Sequence, residues 1–185
     1  MLDHHQRIAA TFNRAADTFD SPVLSFWNRY GQRTVNHLSL QAGDRVLDVC
    51  CGSGASALPA AERVGPSGSV LGVDLAAALL DLGRAKAQRQ GFTHLTFQQG
   101  DLMSLGLPDE SFAAVISVFG IFFVPEMESA VQELWRMVRP GGQLAITSWG
   151  KAVFEPANRI FGELLAAERP DLVKTELPWQ QIETS

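Results

Sequence analysis

Arg45-Val-Leu-Asp-Val-Cys-Cys-Gly-Ser-Gly54 is the stretch that decides the fold. Val46, Leu47 and Val49 are apolar and mostly β-branched, as a buried strand requires. Gly52 and Gly54 follow, where the backbone has to turn sharply. Ala55 to Val64 then reads as a helix. A strand, a glycine turn and a helix N-terminus make a binding site out of backbone. The turn lets a ligand approach without meeting a Cβ, and the first turn of the helix presents unpaired N–H groups.

Downstream, strands and helices alternate. Gly65-Pro-Ser-Gly68 is a turn, and Ser69 to Val73 a second strand ending at Asp74. A helix over about 75–90 closes at Gly91. A third strand over 94–98 leads into Gly100-Asp101, a loop covers 102–111, and a fourth strand runs from Ala113 to Val118. Pro125 to Val138 is the clearest helix, with Val131, Leu134, Trp135 and Val138 on one face. Arg139-Pro-Gly-Gly142 has the residues of a type II turn, and Gln143 to Ser148 is a fifth strand. Phe154 to Glu168 is a last helix. Pro59 falls inside the helix after the glycine turn, so that helix either starts at Ser56 or bends there. Strands alternating with helices predict an α/β fold, a Rossmann-like, doubly wound and mainly parallel sheet. In such a sheet ligands sit at the carboxyl ends of the strands. Gly52, Gly54, Asp74, Asp101 and Phe119 all fall there.

Upstream lie two helices. Ile8, Phe12, Ala15, Ala16 and Phe19 recur at helical spacing within 3–19. Ser21-Pro22 starts the second, with Val23, Trp27, Tyr30, Thr34 and Leu38 as its stripe. The organisation expected is one domain: a helical cap over 1–40, an α/β core over 41–170 and a polar tail over 171–185. With 185 residues, 46% apolar and 19% charged, the chain has an ordinary globular balance. A net charge of −5 and no Lys/Arg run exclude bulk nucleic-acid binding through phosphates. The two cysteines, Cys50 and Cys51, are neighbours. They form neither a useful disulfide nor a metal-site spacing, which suits a reducing compartment. No metal site is expected. With no signal-peptide core and no apolar run of about 18 residues, a soluble cytoplasmic protein is expected.

Gly52-x-Gly54-x-x-Ala57, with Asp74 twenty residues past Gly54, satisfies a dinucleotide fingerprint. Three features favour another adenosine-containing cofactor. Two helices precede the first strand. Asp48 stands inside that strand, where a dinucleotide strand is apolar. Asp101 ends the third strand, within reach of an adenine. At these positions the sequence resembles class I S-adenosylmethionine-dependent methyltransferases, and the match runs from Val46 to Trp149. The motifs are Val46 to Gly54, Gly72-Val-Asp-Leu-Ala-Ala-Ala-Leu-Leu80, Gly100-Asp-Leu with Leu107-Pro-Asp-Glu-Ser-Phe112, and Leu134-Trp-Arg-Met-Val-Arg-Pro-Gly-Gly142. They are most similar to the branch with ubiquinone and small-molecule methyltransferases. The resemblance implies that Gly52 and Gly54 line the methionine part of S-adenosyl-L-methionine. Asp74 takes both ribose hydroxyls, Asp101 accepts the adenine amine, the Leu102 N–H lies near the ring, and Leu75 packs on its face. Asp48, Cys50, Ser117 and Phe119 complete the expected cofactor set.

Cys50 stands where the family has Gly or Ala, and Ala113 where it has an acid. The family continues into a further β-hairpin beyond the last helix, so the expectation is either a truncated chain or a fifth-strand edge that another copy covers. Phe119, Ile121, Phe122 and Phe123 follow the fourth strand, and Phe122 and Phe123 are read as lining an apolar acceptor pocket. His4, His5 and His37 lie on the leading helices and no convincing general base is found. No Asn/Asp-Pro-Pro-aromatic motif follows the fourth strand; Ser117-Val-Phe-Gly120 stands there. The expected function is methyl transfer to a small, largely apolar molecule. The alternatives are a cofactor-binding but inactive protein and an NAD-dependent oxidoreductase.

Overall fold

The computed structural model describes residues 3–150 and 154–172. It divides into two compact units, Met1–Thr147 and Ser148–Ser185. The first holds five parallel strands: β1 (Arg45–Val49), β2 (Ser69–Asp74), β3 (Leu95–Gln99), β4 (Phe112–Val118) and β5 (Val138–Thr147). Their order is β3-β2-β1-β4-β5, the expected doubly wound, Rossmann-like sheet. The order reverses between β1 and β4, which makes the carboxyl ends of those strands the natural seat for a ligand.

The helices of this unit are α1 (His4–Phe19), α2 (Phe26–Asn36), α3 (Ala57–Val64), α4 (Ala77–Arg89) and α5 (Met127–Arg136). The pleat sends alternate residues of each strand to opposite faces. Val46, Val70, Ala114 and Ile116 join residues of α2, α3 and α4 in one buried cluster. Leu47, Val49, Val73 and Val115 turn the other way and are equally buried. The right-handed crossover from β4 to β5 places α5 on that second face, where its Ala130 and Leu134 are fully buried.

Several boundaries differ from the sequence reading. The second leading helix is broken: Pro22–Leu24 is a 3₁₀ turn and α2 begins at Phe26. Val23 is 86% exposed and so does not belong to the buried stripe. The helix after the glycine turn starts at Ala57, so Pro59 is its third residue. The N–H that proline lacks there has no intrahelical acceptor to lose, and no bend is needed. The segment 102–111 is not wholly loop, since Leu102–Ser104 is a 3₁₀ turn. β5 begins at Val138 rather than Gln143: Phe112 pairs with Val138 and Ala114 with Gln143. Arg139-Pro-Gly-Gly142 is therefore an excursion within the strand, and Gly141 has the positive φ of +74° that its turn character demands. Arg139 Nη2 donates to Asp44 Oδ1 at 3.0 Å. The second unit contains α6 (Ala157–Glu168), three residues shorter at its start than the pattern suggested. Most of the tail lies outside the described residues.

α2 packs closely on the glycine loop. A Cβ built on Gly31 would lie 2.3 Å from the Ala55 carbonyl oxygen, which is rigid backbone. In α6, Gly162 has nothing within 4 Å of the same position. Gly31→Ala is expected to cost about 1–3 kcal/mol through overpacking, or several degrees of Tm. Gly162→Ala should gain about 0.5–1 kcal/mol from helix propensity alone. Thermal melts of the two variants check both signs.

Candidate functional site

The turn after β1 is held from several sides. Gly52 and Gly54 have φ of +53° and +91°, so the loop uses a conformation that glycine adopts freely. The Gly52 N–H donates to Asp74 Oδ2 at 2.8 Å, and the Ala76 N–H to Asp74 Oδ1 at 2.9 Å. Asp74 thus fastens the turn after β1 to the turn after β2. Each oxygen keeps a lone pair for a further donor. Burial pushes the Asp74 carboxyl above the usual range, and the N–H bonds from Ala76 and Gly52 oppose it.

Asp48 lies on the α3 face of the sheet, fully buried. Ser56 Oγ donates to its Oδ2 at 2.8 Å, while Oδ1 has no partner. It anchors the far end of the loop. Burial is the main reason its pKa is pushed up to about 7; the Ser56 bond works against this, and the Asp74 charge adds to it.

Asp101 follows β3, and its Oδ1 accepts the Met103 N–H at 3.0 Å as the cap of the 3₁₀ turn. Its Oδ2 lies 2.5 Å from His5 Nδ1 on α1. That pairing was invisible in the sequence, where His5 was only one of several histidines on the leading helices. Leu102 is buried, and the Leu75 carbonyl accepts from Gln99 Nε2 at 3.0 Å.

On the other side of the switch point, Cys50 and Phe119 both have positive φ, +58° and +55°. Two non-glycine residues in the left-handed region, facing each other across the ends of β1 and β4, store strain where a ligand would sit. A Cβ on Gly120 would lie 2.2 Å from the Cys50 Cβ. Glycine at 120 therefore makes room for the side chain at 50. Burial, reinforced by Asp74, Asp48 and Asp101, pushes the Cys50 thiol far up, which leaves it un-ionised. Ser117 Oγ is buried without a partner 3.4 Å from the same Gly120 position.

Aromatic rings surround this point. The Phe119 ring meets both Trp27 and Tyr30 at 5.4 Å between centroids, Trp27 stacks on Phe19, and Phe12 meets Phe123 at 5.5 Å. Phe122 is buried beside Phe123. Phe19 lies 3.5 Å from where a Gly52 Cβ would be, so α1 passes directly over the glycine turn. Asn13 Oδ1 also accepts the Ala78 N–H of α4 at 2.9 Å, and His4 Nε2 is 2.8 Å from the Phe123 carbonyl. The sequence reading missed the contributions of Asn13, Asp20, Ser53 and Lys86. The signal for Lys86 was present: its spacing puts it on the same face of α4 as the buried Leu79 and Gly83, an odd place for a lysine.

The model of the ubiE/COQ5 methyltransferase family matches residues 1–166. The chain is 36% identical over 143 residues to a demethylmenaquinone methyltransferase of Anoxybacillus flavithermus, covering 75% of this chain and 60% of the relative. It is 30% identical over 145 residues to the aklanonic acid methyltransferase DauC of Streptomyces sp., covering 78% and 66%. The chain thus spans about two thirds or less of the length of these relatives. Among solved structures, a SAM dependent methyltransferase from Aquifex aeolicus shares the fold with a TM-score of 0.66 at 21% identity, covering 84% of this chain and 86% of that one.

Asp48 gives the site a pH signature. Its folded pKa of about 7 lies above the unfolded value of 3.8. Between those values the folded state holds the extra proton. Stability therefore falls as pH rises from about 4 to 7 and levels off above. Asp48→Asn, which carries no charge to desolvate, should lose less stability than wild type between pH 4.5 and 7.5 in urea melts of the ligand-free protein. Parallel curves for the two proteins would remove the assignment.

Proposed function

We propose that this chain, which belongs to the ubiE/COQ5 methyltransferase family, transfers the methyl group of S-adenosylmethionine to a small, largely apolar, quinone-type acceptor. The observation that carries the reading is Asp74. Its carboxylate is bonded to the Gly52 N–H, so one acid stands beside both the glycine turn and the end of β2, where a ribose diol has two hydroxyls to donate. The rest of the site fits the same cofactor. Asp48, Asp74 and Asp101 supply a negative field, and the orphaned Asp48 Oδ1 and Ser117 Oγ leave acceptor capacity beneath the switch point.

In this reading Gly52 and Gly54 seat the methionine part beside Cys50. Asp74 holds the ribose, and Asp101 with the Leu102 N–H and the Leu75 side chain holds the adenine. Ser117 and Phe119 flank the methyl group, and Phe122 and Phe123 face the acceptor. When bound, S-adenosylmethionine supplies a methyl group already activated on a sulfonium sulfur. The residues of the chain align it and exclude water, which is worth roughly 7–11 kcal/mol in a well-oriented displacement. The rings of Phe12, Phe19, Trp27, Phe119 and Phe123 suit a flat aromatic acceptor, since stacked or edge-on rings gain about 0.5–1.5 kcal/mol beyond their burial. The names of the two curated relatives, demethylmenaquinone and aklanonic acid methyltransferase, support an acceptor of this kind. Among the described residues no helix is long and apolar enough to cross a membrane. The reading places the enzyme in the cytoplasm, acting on a small molecule rather than a nucleic acid, in line with its net charge of −5. A second copy is proposed to cover the free edge of β5.

Two measurements test the reading. Asp74→Ala should raise the Kd for S-adenosylmethionine at least tenfold, since about 1.5–3 kcal/mol goes with each hydrogen bond to a charged group; unchanged affinity by calorimetry would sink the assignment. With methyl-labelled cofactor and a cell extract, label should enter the organic-solvent fraction. Label found only in RNA or protein would overturn the acceptor class.

A further inference from the structure

We infer that Lys86 of α4 is a positioning residue for the cofactor loop, acting through a closed ring of hydrogen bonds with Asp20 and Ser53. This rests on the proposal that the Gly52–Gly54 turn seats the methionine part of the cofactor. Lys86 Nζ donates to Asp20 Oδ1 at 2.7 Å and to Ser53 Oγ at 2.8 Å, and Ser53 Oγ donates to the same Asp20 oxygen at 2.8 Å. Each group satisfies the other two, and each comes from a different element. Asp20 caps the end of α1, Ser53 stands between the two glycines, and Lys86 lies on α4 with its side chain only 14% exposed.

The ring meets a specific need. A turn with glycine on both sides of one residue has many conformations open to it, and each costs little to reach. Asp74 holds the front of this turn through the Gly52 N–H. Ser53, 2% exposed, points the other way and is the only side chain between the glycines. Its partners decide how far the turn can drift. The same Asp20 ends α1, whose Phe19 lies over Gly52. Lys86 therefore sets the floor and the roof of one subsite together. The groups assigned to adenosine, Asp74 and Asp101, do not touch the ring, so the effect should be confined to the amino-acid end of the cofactor.

That confinement is the test. Two ligands are titrated against the full chain by calorimetry: S-adenosylhomocysteine, and 5′-methylthioadenosine, which keeps the adenosine and lacks the amino-acid part. Lys86→Met is expected to raise the Kd for S-adenosylhomocysteine about tenfold, the scale of one lost bond to a charged group, and to leave that for methylthioadenosine within about twofold. Lys86→Arg should recover most of the loss, because a guanidinium can bridge the same two oxygens. Asp20→Asn keeps the acceptor oxygen and loses the charge. It should weaken S-adenosylhomocysteine selectively, and the double variant should bind no worse than Lys86→Met alone. This second variant carries the test if Lys86→Met does not fold. Equal weakening of both ligands, or none, overturns the positioning role. Wild-type protein that binds neither ligand overturns the cofactor reading itself.

Discussion

The bond from the Gly52 N–H to Asp74 is the constraint on which the rest of the site depends. β1 and β2 pair as far as Val49 and Val73, and the Cys51 N–H donates to the Val73 carbonyl at 3.0 Å, but the ladder ends before Gly52 and leaves the join from the glycine turn to the turn after β2 to side chains. One carboxylate makes that join. The group is drawn out of water to do so, and its charged form is disfavoured. The backbone N–H donors of Gly52 and Ala76 offset part of this. Asp48 does similar work one layer lower, between β1 and the start of α3. The glycine turn, free to adopt many conformations by its composition, is thereby held by polar contacts at both Gly52 and Ser53.

The fold was legible because it rests on local signals. Val46, Leu47 and Val49, the glycines after them, and the recurrence of strand and helix define a doubly wound sheet whatever the distant contacts are. The ends of strands β2 and β3 were legible for the same reason, since Asp74 interrupts an apolar run and Gly100-Asp101 follows the alternation of Leu95 and Phe97. What escaped was long-range. His5 meets Asp101, and Lys86 meets Asp20 from 66 residues away, and no spacing in one sequence encodes such a pair. The misplaced start of β5 has another cause. Pro140, Gly141 and Gly142 do make a turn, but strand pairing resumes on both sides of it, so a correct local signal marked an excursion rather than a boundary. Val23 failed because helical periodicity was carried through Pro22 and Ser25, where the chain instead makes a 3₁₀ turn and begins again.

The aromatic side chains at the carboxyl end of the sheet come in part from the leading helices. α1 has no fully buried residue, so it is not a core helix. It is fastened by polar contacts at several points along its length, at His5, Asn13 and Asp20, and it contributes Phe12 and Phe19 to the rings grouped around Phe119. A helix held this way keeps its apolar residues available to a ligand instead of committing them to the core.

Cys50 and Gly120 share one volume, and this makes the order of evolutionary change directional. The side chain at 50 fills the space that any side chain at 120 would need. A lineage carrying Cys50 cannot accept Gly120→Ala without first changing position 50 to glycine. One that begins with glycine at both positions can take either step, but not both. Two positions 70 residues apart in sequence therefore form a ratchet, and relatives should divide into those that fill the volume from the β1 end and those that fill it from the β4 end.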